Sequence, residues 1–215
     1  MNGNALIILQ LDVCGKQRFV EMFQFNDLIQ FPTGDGQRYS KRHGDYGTIN
    51  VRQIKQLIKQ PQSVPKDKAK WFIPSSYYGP WARNFEVQRQ RGLFHMITAD
   101  FDVGDLSIEW VIGSAEAVLG DVHMWVYSSA SAAQDKRKWR LLVPLDEPLN
   151  GIDWEYAQNA LFDALEKEDA IADRALSRAA QLHFLPNVPP LKRDDEGKPI
   201  FYQSRIIIGG GYALS

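Results

Sequence analysis

An ordered series of patterns between Leu93 and Asn187 limits this chain's fold more than any other feature. "LFHMITADFD" reads as a strand, "DLSIEWVIGSAEAVLG" as a helix, "VHMWVYSS" and "KWRLLVPLD" as two strands, "DWEYAQNALFDALEKE" as a helix and "LHFLPN" as a short last strand. The second helix places Trp154, Ala157, Leu161 and Leu165 on one face, and the strands are short apolar runs. Asp105 is the expected cap at the start of the first helix and Gly120 its close. The order β-α-β-β-α-β is the split β-α-β, or RRM-like, arrangement. The expected class is therefore α+β, with an RRM-like core over residues 91–215 and an N-terminal α+β lobe over 1–90 packed on it.

In that lobe "ALIILQLDV" and "RFVEMFQF" read as a hairpin joined through "CGKQ" with its Gly15. "PTGDGQRYSKRHGDYG" reads as a loop, "INVRQIKQLIKQ" as a helix stopped by Pro61, and "KAKWFIPSSYYGPWARNFEVQRQRG" as an aromatic, basic connector. The ending "RIIIGGGYALS" has no obvious closing element.

Composition narrows the class. Over 215 residues, 44% hydrophobic and 24% charged content is that of a soluble globular protein. A net charge of −1 argues against a uniformly basic nucleic-acid coat and leaves local patches open. The lone Cys14 excludes an internal disulfide, and four scattered histidines leave no Cys/His zinc module. The apolar run near the start lacks a basic flank, and no segment reaches membrane-spanning length, so the expectation is a cytoplasmic protein without a membrane partner.

Residues two apart in a strand share a face, so Asp100 and Asp102 converge while Ile97, Ala99 and Phe101 point the other way. Two such acids repel unless a cation neutralises them, and hard oxygen ligands suit Mg²⁺ or Mn²⁺, which also take substrate phosphates. Lys138 and Arg140 are likewise two apart, and cations on the acid-bearing face would hold the phosphates of a nucleoside triphosphate. Ser128, Ser129 and Ser131 before them offer hydroxyls. A third acid, Asp173, would allow two metals near one centre, with Arg178 and Gln181 close behind. Each feature alone has a plainer reading, as a solvated strand end, hairpin end or helix end.

Together, "TADFDVGD", "VYSSASAAQDKRKWRLLVPLD" and "IADRALSRAAQLHFLPN" resemble, in order, the three motifs of the archaeo-eukaryotic primase superfamily, in particular the primase-polymerase domains of phage, plasmid and prophage replication proteins. The resemblance covers roughly Trp71 to Asn187. It implies an RRM-like catalytic core in which Asp100, Asp102 and Asp173 are catalytic ligands of two Mg²⁺ or Mn²⁺ ions, while Lys138, Arg140, Ser128 and Ser129 contact the incoming NTP or dNTP. It implies DNA primase or polymerase activity in replication of a mobile element or prophage. The superfamily's second motif usually ends in a histidine, and "YSSAS" has none; His123 lies near the start of its strand and does not replace it. Arg83, Arg89 and Arg91, with Trp71, Tyr77, Tyr78 and Trp81 interleaved, read as a surface for a single-stranded DNA template, which Arg178 would join. No G-x-x-x-x-G-K-[ST] occurs, so a helicase would be a separate domain or partner.

Two other classes compete. An RRM-like binding or replication-initiator module with relic acids would need no metal, although "HMITADFD" lacks the RNP aromatic run. A metal-dependent nuclease would use the same acids. A D-x-D glycosyltransferase requires a preceding parallel α/β half that residues 1–90 do not resemble.

Overall fold

The computed structural model describes residues 7–11, 17–21, 26–41 and 43–209. Strands β1 (Ile7–Leu11) and β2 (Gln17–Glu21) pair antiparallel, as the hairpin reading expects. Their joint, with Gly15, lies outside the described residues. Next come β3 (Gln30–Asp35), β4 (Gly47–Asn50), α1 (Val51–Lys59), β5 (Lys70–Phe72), α2 (Phe85–Arg91) and β6 (Leu93–Phe101). They are followed by α3 (Ile108–Leu119), β7 (Met124–Ser128), β8 (Trp139–Asn150), α4 (Gly151–Lys167), β9 (His183–Phe184) and β10 (Ser204–Ile207). The result is an α+β structure with two four-stranded sheets, ordered β4-β3-β5-β9 and β10-β7-β8-β6, in which neighbouring strands run antiparallel.

Alternation along β6 builds two cores. Ile97, Ala99 and Phe101 are buried with Val111 and Ala115 of α3 and with Trp154, Leu161, Phe162 and Leu165 of α4. Met96 faces the other way, into a cluster with Phe31, Phe72, Trp125, Tyr127, Leu142 and the Val51–Ile54–Ile58 stripe of α1. Full burial of each large apolar side chain contributes about 1.5–3 kcal/mol before chain entropy is set against it. An Asn50–Gln53 capping box starts α1, and Pro61 follows its last turn.

In the second sheet β8 lies between β6 and β7. The fourth position does not follow expectation. β9 forms within "LHFLPN" but pairs with β5 in the other sheet, and "RIIIGGGYALS", read as lacking a closing element, supplies β10 beside β7. The outer edge of β6 is instead closed piecewise. Trp154 Nε1 donates to the Met96 carbonyl at 2.8 Å, and the fully buried Gln158 accepts from Thr98 N–H at 3.1 Å and donates to the Thr98 carbonyl. Asp173 N–H donates to the Asp100 carbonyl at 2.8 Å, while Pro74–Ser76 bonds the start of the strand. A buried edge must satisfy its peptide groups, and side chains of α4 do what a fourth strand would do.

Three local readings are corrected. Pro32–Asp35, read as loop, belongs to β3; Pro32 has no N–H to give, but its carbonyl accepts from Ile73. The aromatic connector contains β5 and α2; α2 has Asn84 as its cap and only Gln88 buried, so it carries no apolar period. The cap of α3 is Ser107, whose hydroxyl accepts from Trp110 N–H at 3.0 Å, rather than Asp105. Asp105 has φ +43°, outside the extended backbone of an N-cap, and follows Gly104 at φ +88° in the turn out of β6.

Candidate active site

The register of the second sheet sets Asp100 of β6 opposite Arg140 of β8, and Arg140 opposite Tyr127 of β7. One row therefore crosses three strands on one face. Arg140 Nε donates to Asp100 Oδ2 at 3.1 Å and its Nη1 donates to the Phe184 carbonyl at 2.8 Å, an oxygen that Tyr127 Oη also reaches at 3.0 Å. The guanidinium lies 5.7 Å from the Phe184 ring centre. Just past the end of β6, Lys138 Nζ donates to Asp102 Oδ1 at 3.0 Å.

Asp173 arrives from the segment after α4. Its peptide N–H is bonded to Asp100, and its carboxylate accepts from Ala175 N–H at 2.9 Å, capping the 3-10 turn Arg174–Ser177. Arg174 fastens that turn to α4 through Asp163 at 2.8 Å and Glu166 at 2.6 Å. Burial raises the pKa of Asp100; the charge and hydrogen bond of Arg140 pull it down, and the charges of Asp102 and Asp173 push it up. The charges of Asp102 and Asp173 thus both bear on Asp100.

Asp100 Oδ1 is buried and has no hydrogen-bond partner. An orphaned carboxylate oxygen beside two further acids fits one hard divalent cation, completed by substrate phosphates. Among the described residues, however, no three His, Cys, Asp or Glu side chains form a ready metal cluster. Two of the carboxylate oxygens instead face Lys138 and Arg140.

The other expected residues fall in different places. Ser128 is buried, its hydroxyl accepting from Gln203 N–H at 3.3 Å; Ser129 Oγ lies 3.2 Å from Ser131 Oγ. Trp71 is fully buried, so it is a core residue rather than a stacking platform. Arg83 donates to the Gln37 and Tyr39 carbonyls and lies over the Trp71 ring, and Arg89 bonds Glu155 at 3.0 Å. Trp81, Tyr78, Arg91 and Arg178 are exposed.

Three site residues escaped the sequence reading. Tyr127 and His183 became visible only through strand register and pairing. His183 is buried against Phe72, with its pKa driven down to about 3 by burial and then by the Arg140 charge. Gln158 did leave a signal: it interrupts the Trp154–Leu161–Leu165 stripe of α4, where an uncharged amide requires a buried partner. A cavity of about 680 Å³ between α3, α4 and β8 is lined by Ile97, Leu145 and Leu161, on the face of the sheet opposite Asp100. It is separate from the acids.

No family model and no curated protein matches the sequence. Two solved structures are similar to the chain. One is the AEP domain of the primase-polymerase of cyanophage S-2L, at 13% identity and TM-score 0.43, covering 77% of this chain and 75% of that one. The other is the polymerase domain of Mycobacterium tuberculosis Ligase D in complex with DNA, at 13% identity and TM-score 0.38, covering 81% of this chain and 64% of that one. Among the described residues no helix is long and apolar enough to cross a membrane.

Proposed function

We propose that the chain is a template-directed nucleotidyltransferase of the primase-polymerase kind. The observation that supports the reading is the unpartnered buried Oδ1 of Asp100, with Asp102 two residues on and the Asp173 N–H bonded to the Asp100 carbonyl. These residues would hold Mg²⁺ or Mn²⁺, one ion or the two of the expected mechanism. When bound, the metal supplies charge neutralisation at the transferred phosphoryl group and acidifies the attacking hydroxyl. Lys138 is placed to exchange its Asp102 contact for a phosphate, because Asp102 is half-exposed and that ion pair is weak. Arg140, committed to Asp100 and the Phe184 carbonyl, orients the acid. Ser129 offers a hydroxyl to an NTP or dNTP. Trp81, Arg91 and Arg178 offer a stacking ring and cations to single-stranded DNA, while Arg83 braces the turn that presents Trp81. A mobile-element setting and a helicase partner follow from the sequence resemblance.

A second reading, a metal-free nucleic-acid-binding module, is favoured by one observation: both site cations are already paired with the acids. The test is a gel assay on single-stranded template, with and without primer, using labelled NTPs or dNTPs and Mg²⁺ or Mn²⁺. Metal-dependent product should fall at least about 100-fold in Asp102→Ala with melting little changed. Full synthesis by the variant would remove Asp102 from the mechanism. Template binding without product favours the module, and a shortened labelled strand a nuclease.

A further inference from the structure

The β6–β8 ladder has Phe101 opposite Trp139 as its last pair. Asp102 and Lys138 each stand one residue past it, one on either segment, where their side chains meet at 3.0 Å. From there the two segments leave the sheet. One runs through Gly104 at φ +88° and Asp105 at φ +43° into α3; the other passes the tight turn in which Ala133 and Lys136 exchange backbone bonds at 3.1 and 3.2 Å. A strand end of this kind frays unless something beyond it closes the pairing.

Asp105 and Arg137 close it. Arg137 N–H donates to Asp105 Oδ1 at 2.7 Å and its Nε to the same oxygen at 3.1 Å. Its Nη2 donates to Asp105 Oδ2 at 3.2 Å and to the Asp105 carbonyl at 2.6 Å. Trp139 Nε1 adds a bond to the Leu106 carbonyl at 2.7 Å. A guanidinium fork on a carboxylate fixes distance and angle together, which a single charge contact does not. The positive φ of Asp105, uncommon outside glycine, brings its carboxylate and its carbonyl to one guanidinium. These bonds hold the Asp105 carboxyl below its usual pKa and raise that of Arg137, to which Glu109 adds its charge, so the pair is ionised at neutral pH. Both oxygens of Asp105 are committed to Arg137, whereas Asp100 Oδ1 has no partner. The third acid of "TADFDVGD" is thus a support and not a free ligand.

We propose that the Asp105–Arg137 clamp positions the candidate site: it keeps Asp102 beside Lys138, and so in place to ligate metal with Asp100, past the point where the strands stop pairing. The proposal deepens the nucleotidyl-transfer reading and rests on it only for the metal. Charge and position predict opposite signs. Removing the Arg137 cation next to Lys138 would by charge alone tighten the hold of the acids on a divalent ion, whereas removing the clamp loosens it.

The experiment compares wild type with Arg137→Met, Arg137→Lys, Asp105→Asn and the double variant Asp105→Asn/Arg137→Met. Mn²⁺ binding is read from the EPR signal of the free ion, and the order of the Asp102 amide from NMR relaxation of metal-free protein. Asparagine tolerates a positive φ, so Asp105→Asn keeps the turn while losing the ionic fork. Arg137→Met should weaken Mn²⁺ binding about tenfold, with Asp105→Asn in the same direction. The double variant should lose no more than Arg137→Met, because the two residues act through one set of bonds. Arg137→Lys, which keeps the charge without the fork, should not restore wild-type binding. In the single variants the Asp102 order parameter should fall from about 0.85 to under about 0.6. Unchanged or tighter Mn²⁺ binding by Arg137→Met, additive losses in the double variant, or an unchanged order parameter overturns the proposal. Should Arg137→Met fail to fold, Arg137→Lys and Asp105→Asn carry the comparison. If wild type takes up no Mn²⁺, the metal reading fails and the order parameter decides the clamp: a fall sustains it and no change overturns it. Mn²⁺ binding that follows the clamp in a chain that makes no product leaves the clamp standing and removes the polymerase reading.

Discussion

Asp100 lies against Arg140 with side chains 11% and 17% exposed, whereas Asp102, two residues further on, is 49% exposed beside Lys138 at 16%. The first pair bridges β6 and β8, and the second joins the residues just beyond the end of β6 and just before the start of β8. One pair is sealed between sheet elements and shares its guanidinium with the Phe184 carbonyl, while the other stands where β6 ends. Proximity is therefore no measure of strength here. A buried charge without its partner is expensive, so the inner pair is an internal support for Asp100; in the outer pair Asp102 is open to water, which can solvate it in place of Lys138. The comparison assigns positioning to Arg140 and ligand exchange to Lys138.

Arg140→Met tests the inner pair most severely. It should cost about 3–5 kcal/mol in urea unfolding because Asp100 is left buried without its cation. Lys138→Met should cost under about 1 kcal/mol. Equal costs would erase the distinction.

Gln158→Leu sharpens the same contrast from the backbone side. It leaves the N–H and carbonyl of Thr98 without their amide partners, for a loss of roughly 2–4 kcal/mol. Exchange of the Thr98 amide, followed by NMR, should accelerate with it. An unchanged exchange rate would mean that the strand holds Asp100 in place without the clamp.

The smallest effect is a pair of opposed pH slopes. Asp100 has a raised folded pKa, so its contribution to stability is fully present below 3.8 and is lost as pH rises through the raised value. His183 has a depressed one, so its contribution is present above 6.5 and is lost as pH falls toward about 3. Between 3.8 and 6.5 the two oppose. His183→Phe should expose a stability that declines as pH rises, and Asp100→Asn one that increases, read from urea midpoints. Identical profiles in both variants would show that neither group differs between the folded and unfolded states.

Much of the local structure was legible. Alternation in "MITADFD" gave opposite faces to Ala99 and Asp100, and two-residue spacing put Arg140 on one face with Lys138; the β6–β8 register made that the face of Asp100. Gly120 closes α3, and Pro61 follows α1. What stayed hidden was short or polar: α2, with one buried residue, the pairing of the two-residue β9 with β5, and the Ser107 cap two positions beyond Asp105.

Sequence by itself determined which side chains share a face, because strand and helix periods are properties of the local backbone. Only the tertiary structure decided that β9 would leave the sheet of β6, that Gln158 and Asp173 would close the edge, and that Lys192 would reach Ala132. Those outcomes depend on which distant segments satisfy the same buried peptide groups and charges, a competition among all the segments of the folded chain that no local period encodes.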